Sequence, residues 1–220
     1  MPSAGFAGSQ PSTGSTYAWN GYGLTNTFAG TYVGFVTAFN RQLLDDGFLL
    51  RADGLGGQYS VSSNNGYSRH VNIYGADLML GYRKHIGQGW LSTYIGGAFE
   101  TDQNDNPSTT IRGTRGGAKV YMEYFGSLNA NFDVNAYGTY STVFSTYEAA
   151  GRLGYKVNDK VTIGPEVSTY GNESYRDVRF GSFITWQTSF GELTLSGGYV
   201  DPLTPVATGY YVNLHLGFQL

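Results

Sequence analysis

Near the C-terminus, Val212, Leu214, Leu216, Phe218 and Leu220 alternate strictly with Asn213, His215, Gly217 and Gln219. A period of two with one apolar and one polar face is the signature of a β-strand. The same alternation recurs through most of the chain, interrupted by Gly-, Asn-, Asp- and Pro-containing turn signals. Breaking the chain at those signals predicts strands over 17–24, 30–40, 47–61, 70–84, 90–102 and 113–128. The second half adds 131–144, 147–157, 160–170, 175–188, 192–200 and 209–220. Strands this long exceed the usual soluble length of about 5–6 residues and suit tilted strands crossing a bilayer, which need roughly 9–11. No segment carries sustained helical periodicity. The pattern predicts an all-β fold, a single antiparallel up-and-down transmembrane β-barrel of outer-membrane type with about twelve strands, or ten if 17–24 is only a tail. The expected organisation is a flexible N-terminal segment over 1–16 and one barrel domain over 17–220.

Connection lengths agree with that reading. With both termini in the periplasm, the inner turns fall at 41–46, 85–89, 128–131, 158–159 and 189–191. The outer loops fall at 62–69, 101–112, 145–146, 171–174 and 201–208. The three longest connections then all lie outside, as in barrels with short periplasmic turns and long external loops.

Register decides which face each residue takes, because a slip of one residue exchanges lipid for lumen. The outward set includes Tyr74, Leu78, Leu80, Val120, Met122, Val161, Ile163, Phe180, Leu193 and Leu195. The opposite faces collect Arg51, Asp53, Asp77, Arg83, Glu100, Arg115, Lys119, Glu123, Glu148, Arg152, Glu166 and Arg179, six acids and six bases. A Lys or Arg on the lipid face near the midplane costs about 2–4 kcal/mol, so this segregation is what a membrane barrel requires. A balanced lumen fits either a ladder of ion pairs that fills the barrel or an aqueous channel or polysaccharide track with Tyr94, Tyr121, Tyr137 and Phe183 along it. Counting from the 171–174 turn places Glu166 and Arg179 near one height, as an expected ion pair. Trp19, Tyr22, Trp90, Trp186, Tyr210 and Tyr211, near strand ends, are expected to anchor in the headgroup region.

Composition supports the fold and excludes several functions. Charged residues make up only 13% and aromatics 16% of the chain, with 33 Gly, 19 Tyr and no Cys. A soluble domain carries nearer a quarter charged residues. The net charge of −3 gives no basic footprint, so nucleic acid is not expected as a partner. Without Cys there is neither a disulfide framework nor a thiolate metal site. Residues 1–14 lack a basic region and an apolar stretch, so for an exported protein the signal peptide is expected to have been removed.

Little chemistry is marked. No zinc-protease, nucleophile-elbow or phosphate-loop motif occurs, and no catalytic residue, cofactor or metal site is predicted. His70 and His85 lie near strand ends. His215 shares the polar face with Ser196 and could, with Glu166, form a hydrolase triad, although no spacing marks it. Asp102 and Asp105 could hold Ca²⁺ in an outer loop, but loop solubility explains the same residues.

Several segments together carry a resemblance: DDGFLLRADGLGGQY at 45–59, DLMLGYRKHIG at 77–87, STYEAAGRLGY at 145–155, GPEVSTYGNESYRDVRFGSF at 164–183 and LTLSGGYV at 193–200. The chain resembles the cellulose biosynthesis protein BcsS family of Gram-negative bacteria from about Tyr32 to its end. The resemblance implies an outer-membrane role in making or exporting cellulose, and the leading expectation is a non-enzymatic accessory acting as conduit, scaffold or surface binder. The expected partners are outer-membrane lipid and cellulose or components of the cellulose synthase complex. A general small-solute channel and a lipid-modifying hydrolase are the alternative functions. One departure is the Gly-Phe-Gln-Leu ending, where such barrels usually finish on an aromatic residue.

Overall fold

The computed structural model describes residues 14–39, 42–62, 68–104, 110–204 and 208–220. Twelve strands follow in order: β1 Thr16–Thr25, β2 Phe28–Ala38, β3 Gly47–Ser62, β4 Ser68–Ile86, β5 Gly89–Asp102 and β6 Gly113–Ser127. They continue as β7 Phe132–Ser141, β8 Thr146–Asn158, β9 Val161–Gly171, β10 Arg176–Thr188, β11 Gly191–Pro202 and β12 Gly209–Gln219. Every strand pairs antiparallel with its sequence neighbours, and β1 closes the barrel on β12 through Tyr17↔Gln219 to Thr25↔Tyr211. Closure leaves no unpaired edge, which is what lets a sheet cross hydrocarbon. Because β1 is the closing strand, the barrel has twelve strands and not ten. Of the N-terminal segment expected over 1–16, residues 1–13 lie outside the described set, and Thr16 already pairs with Thr37.

Alternation places large apolar side chains outward. Ile95, Phe48, Leu80, Leu78, Phe180 and Met122 are all more than half exposed. Among the described residues, every exposed charged side chain sits in a turn or within three residues of a strand end, as with Lys84, Arg112, Arg115, Lys160, Arg176 and Asp201. The middle of the outer wall is therefore a charge-free apolar band.

Inside, bulky rings lie across glycines of neighbouring strands. A Cβ at Gly34 would stand 2.6 Å from the Trp19 ring, and one at Gly21 would collide with Tyr32. Glycine at those inward positions lets an aromatic ring lie flat on the adjoining backbone. Both ends are narrowed by turns that fold inward. At the inner end, Leu43 of the β2–β3 connection is fully buried, with its N–H on the Gly14 carbonyl at 2.9 Å. At the outer end, a 3₁₀ turn, Val143–Ser145, buries Val143 and Phe144 against Ile111 and Ala98. Phe144 sits at φ 51, a left-handed conformation that a bulky residue holds only when packing fixes it.

Candidate functional site: the charged lumen

The inward side chains fall into two unlike groups. On the β1–β7 side, Arg51 is 1% exposed and reaches from β3 to Trp19 of β1 and Tyr121 of β6. Its Nε and Nη2 donate to the two oxygens of Asp53 at 2.7 and 3.1 Å. Its guanidinium lies 4.1 Å from the centroid of Tyr121 and 4.8 Å from that of Trp19, and Nη1 stands 3.5 Å from Glu123. Glu123 also accepts from the hydroxyls of Tyr94 at 3.1 Å and Tyr121 at 3.3 Å. Arg83 completes the layer below, donating to Ser92 Oγ at 2.9 Å and the Leu43 carbonyl at 2.6 Å, with Nη2 3.4 Å from Glu123. Val36, Leu43, Leu49 and Met79 fill the space around them. Burying a guanidinium is tolerable only where geometry and extra hydrogen bonds compensate its desolvation, and the Asp53 fork and two aromatic faces supply both here.

The β8–β12 side is polar and less filled. Arg152 meets Glu166, directly opposite across the β8–β9 pair, at 2.6 Å, and stacks 4.8 Å from the Phe183 centroid. The Tyr211 hydroxyl donates to the other Glu166 oxygen at 2.5 Å. Arg179 pairs with Asp177 of its own strand at 2.7 Å. Lys156 reaches Asp133 at 2.9 Å, and Gln187 donates to Glu192 at 2.9 Å. The expected Glu166–Arg179 pair is therefore replaced. Arg179 lies opposite Ser168 and Glu166 opposite Gly181, so each finds a nearer partner.

The remaining charged positions are spread along the outer half. Lys119 pairs with Asp77, and Glu148 accepts from Tyr137 at 2.6 Å. Glu100 is buried. Arg115 stands apart: its side chain is 43% exposed at the outer rim, paired with Glu173 and stacked on Phe144. Asp102, Asp133, Asp177, Glu192 and Lys156 also face inward, so the interior carries more acids than bases rather than equal numbers. The signal for Asp177 was present in the sequence, two residues from Arg179 and so on the same face, as Asp53 is to Arg51.

Three of the expected headgroup anchors are corrected. Trp19 is 2% and Tyr211 3% exposed, both turned into the barrel. Trp90, half-buried, donates its indole N–H to the Leu44 carbonyl at 2.9 Å. Tyr22, Trp186 and Tyr210 are exposed. Ser196 and His215 do not bond to each other. His215 Nδ1 lies 3.5 Å from the Tyr32 hydroxyl, while Ser196 Oγ and His215 Nε2 have no hydrogen-bond partner among the described residues. Asp102 accepts from Tyr59 at 2.9 Å and from the Asn104 N–H, while Asp105 lies outside the described residues.

Cavities follow the polar residues. An outer one of about 100 Å³ lies over Arg51, Asp77, Tyr121 and Tyr137. A middle one of about 20 Å³ is bounded by Tyr32, Arg152, Glu166, Ser196 and His215. An inner one of about 170 Å³ is lined by Asp133, Asn135, Arg152, Lys156 and Glu192. Tyr32 stands between the outer and middle spaces, and Arg152 between the middle and inner ones.

A closed, apolar-walled, twelve-stranded barrel with ionised groups confined to its interior is an outer-membrane β-barrel, and the protein resides in the bacterial outer membrane. Solved barrels have the same architecture at low identity. A KdgM porin superposes with a TM-score of 0.59 at 10% identity, covering 93% of this chain and 99% of the porin. The COG4313 outer membrane channel from Pseudomonas putida F1 gives 0.57 at 14% identity, covering 95% and 96%. Outer membrane phospholipase A from Escherichia coli gives 0.50 at 12%, covering 92% and 90%. No curated protein matches the chain. The model of the cellulose biosynthesis protein BcsS family matches residues 17–219, and the chain belongs to that family.

Proposed function

We propose that this protein is a non-enzymatic accessory of cellulose production, a filled barrel that anchors and presents surfaces at the outer membrane rather than conducting solute. Family membership supports the process. The observation that carries the filled reading is the buried layer in which Arg51, Trp19, Tyr94, Tyr121 and Glu123 close over one another with almost no exposure. Planar-bilayer recording tests it: a folded barrel that stays electrically silent supports the scaffold, and steady open currents overturn it. Deleting the gene should lower surface-retained cellulose while leaving synthase activity in isolated inner membranes unchanged.

A small-solute channel is the second reading, favoured by the chain of cavities along the β8–β12 side and by the channel-forming structural relatives. Hydrolysis has less support. His215 and Ser196 face a 20 Å³ space inside the barrel, without a bond between them, and room for about one water does not admit a lipid.

A further inference from the structure

We propose that the outer cavity is a saccharide-binding vestibule that takes the end of a neutral glucan and discriminates against anionic sugars. This inference rests on the cellulose-linked reading above and names the ligand class that its outer face would hold.

Three observations point to it. The first is unmet hydrogen-bonding capacity of one sign. Asp77, whose side chain is 7% exposed, gives one oxygen to Lys119, while its Oδ1 has no hydrogen-bond partner among the described residues. Glu100, 9% exposed, lies on the same lining, beside the charges of Lys119 and Asp102. A buried carboxylate oxygen left without a donor is costly, so the Asp77 side of the cavity suits a ligand rich in O–H donors. The second is the aromatic wall. Tyr121 and Tyr137 stack at 5.8 Å with their planes 14° apart, and Tyr32 and Tyr170 line the same space. Flat rings beside carboxylates offer a sugar its two recognisable features, an apolar C–H face and a rim of hydroxyl donors. The third is net charge. The lining carries Asp53, Asp77, Glu100 and Glu148 against Arg51 and Lys119, an acidic excess that repels uronates.

Size and chemistry limit the occupant further. A space of about 100 Å³ holds several waters, enough for a terminal ring to displace them but not for a chain to pass. A cation is disfavoured because the Lys119 ammonium already occupies the Asp77 side of the site. No group of three or more potential metal-ligating side chains occurs among the described residues.

The test uses the whole barrel folded in detergent or nanodiscs, with the heat-dependent gel shift as the check of folding. Cellotetraose, tri-galacturonate and calcium chloride are titrated separately by calorimetry. Cellotetraose should bind, tri-galacturonate at least about tenfold more weakly, and calcium not at all. Glu100→Gln should weaken cellotetraose about tenfold or more, the loss of one charged hydrogen-bond acceptor. Asp77→Asn is a second variant should Glu100→Gln fold poorly, with the same expected direction. A folded barrel silent to cellotetraose, equal affinity for tri-galacturonate, calcium binding that Glu100→Gln abolishes, or cellotetraose binding indifferent to both variants would each overturn the vestibule. The underlying reading fails separately. If the gene deletion leaves cellulose unaffected while cellotetraose still binds, the vestibule stands and the cellulose-accessory role falls. If deletion lowers cellulose while the barrel ignores cellotetraose, the reverse holds.

Discussion

The two halves of the lumen solve the same problem in opposite ways. From β1 to β7 the interior behaves as a protein core: Val36, Leu43, Leu49 and Met79 pack around Tyr and Trp rings, and two arginines are threaded between them. Packing takes precedence there even over polar satisfaction, since the Tyr17 hydroxyl and the Trp19 indole N–H lack hydrogen-bond partners among the described residues. From β8 to β12 the lining is Ser, Thr, Asn, Gly and paired charges, with space left between them. A close-packed half resists change and sets stability, while a loosely filled polar half tolerates substitution and can admit water or ligand. The rigid half holds the barrel shut beneath the outer cavity, and any passage through the barrel belongs to the other half.

Mutations should expose this contrast, most strongly at the packed centre. Arg51→Ala leaves Asp53 and part of Glu123 facing a buried void, and should destabilise the barrel by about 3–5 kcal/mol, read as a lower urea midpoint in lipid vesicles. On the outer wall, Leu78→Arg puts a cation in hydrocarbon one residue from inward-facing Asp77. It should cost about 2–4 kcal/mol in the same assay, whereas a symmetric soluble barrel would not notice. Gly34→Ala must push the Trp19 ring off the backbone, an overpacking penalty of about 1–3 kcal/mol that should also alter tryptophan fluorescence. Ser196→Ala on the polar side should change stability by no more than about 0.5 kcal/mol, because its hydroxyl has no hydrogen-bond partner to lose among the described residues. If Ser196→Ala proved as damaging as Gly34→Ala, the distinction between the halves would collapse.

How much could be read from the chain differs between fold and site. Strand positions were legible because alternation is local: each predicted segment needed only its own residues, and the observed ends moved by three residues or fewer. Face assignment was harder where both parities are apolar or aromatic. In β1, Tyr17 and Trp19 compete with Ala18, Tyr22 and Leu24, and only pairing with β12 and β2 turns Trp19 inward over Gly34. Ion-pair partners were harder still. The reach of a guanidinium lets Arg179 choose among several carboxylates, and the choice of Asp177 over Glu166 depends on a two-residue offset across β9 and β10.

Periodicity alone makes this chain a lipid-facing barrel of about twelve strands, because an outer wall in hydrocarbon must show its apolar residues at every second position. Which rings and charges meet in the middle was decided only by closure, since joining β1 to β12 brings residues far apart in the chain, such as Tyr32 and His215, to one height. Whether a lumen is filled or hollow is a property of side chains converging from all strands, and no single strand carries it.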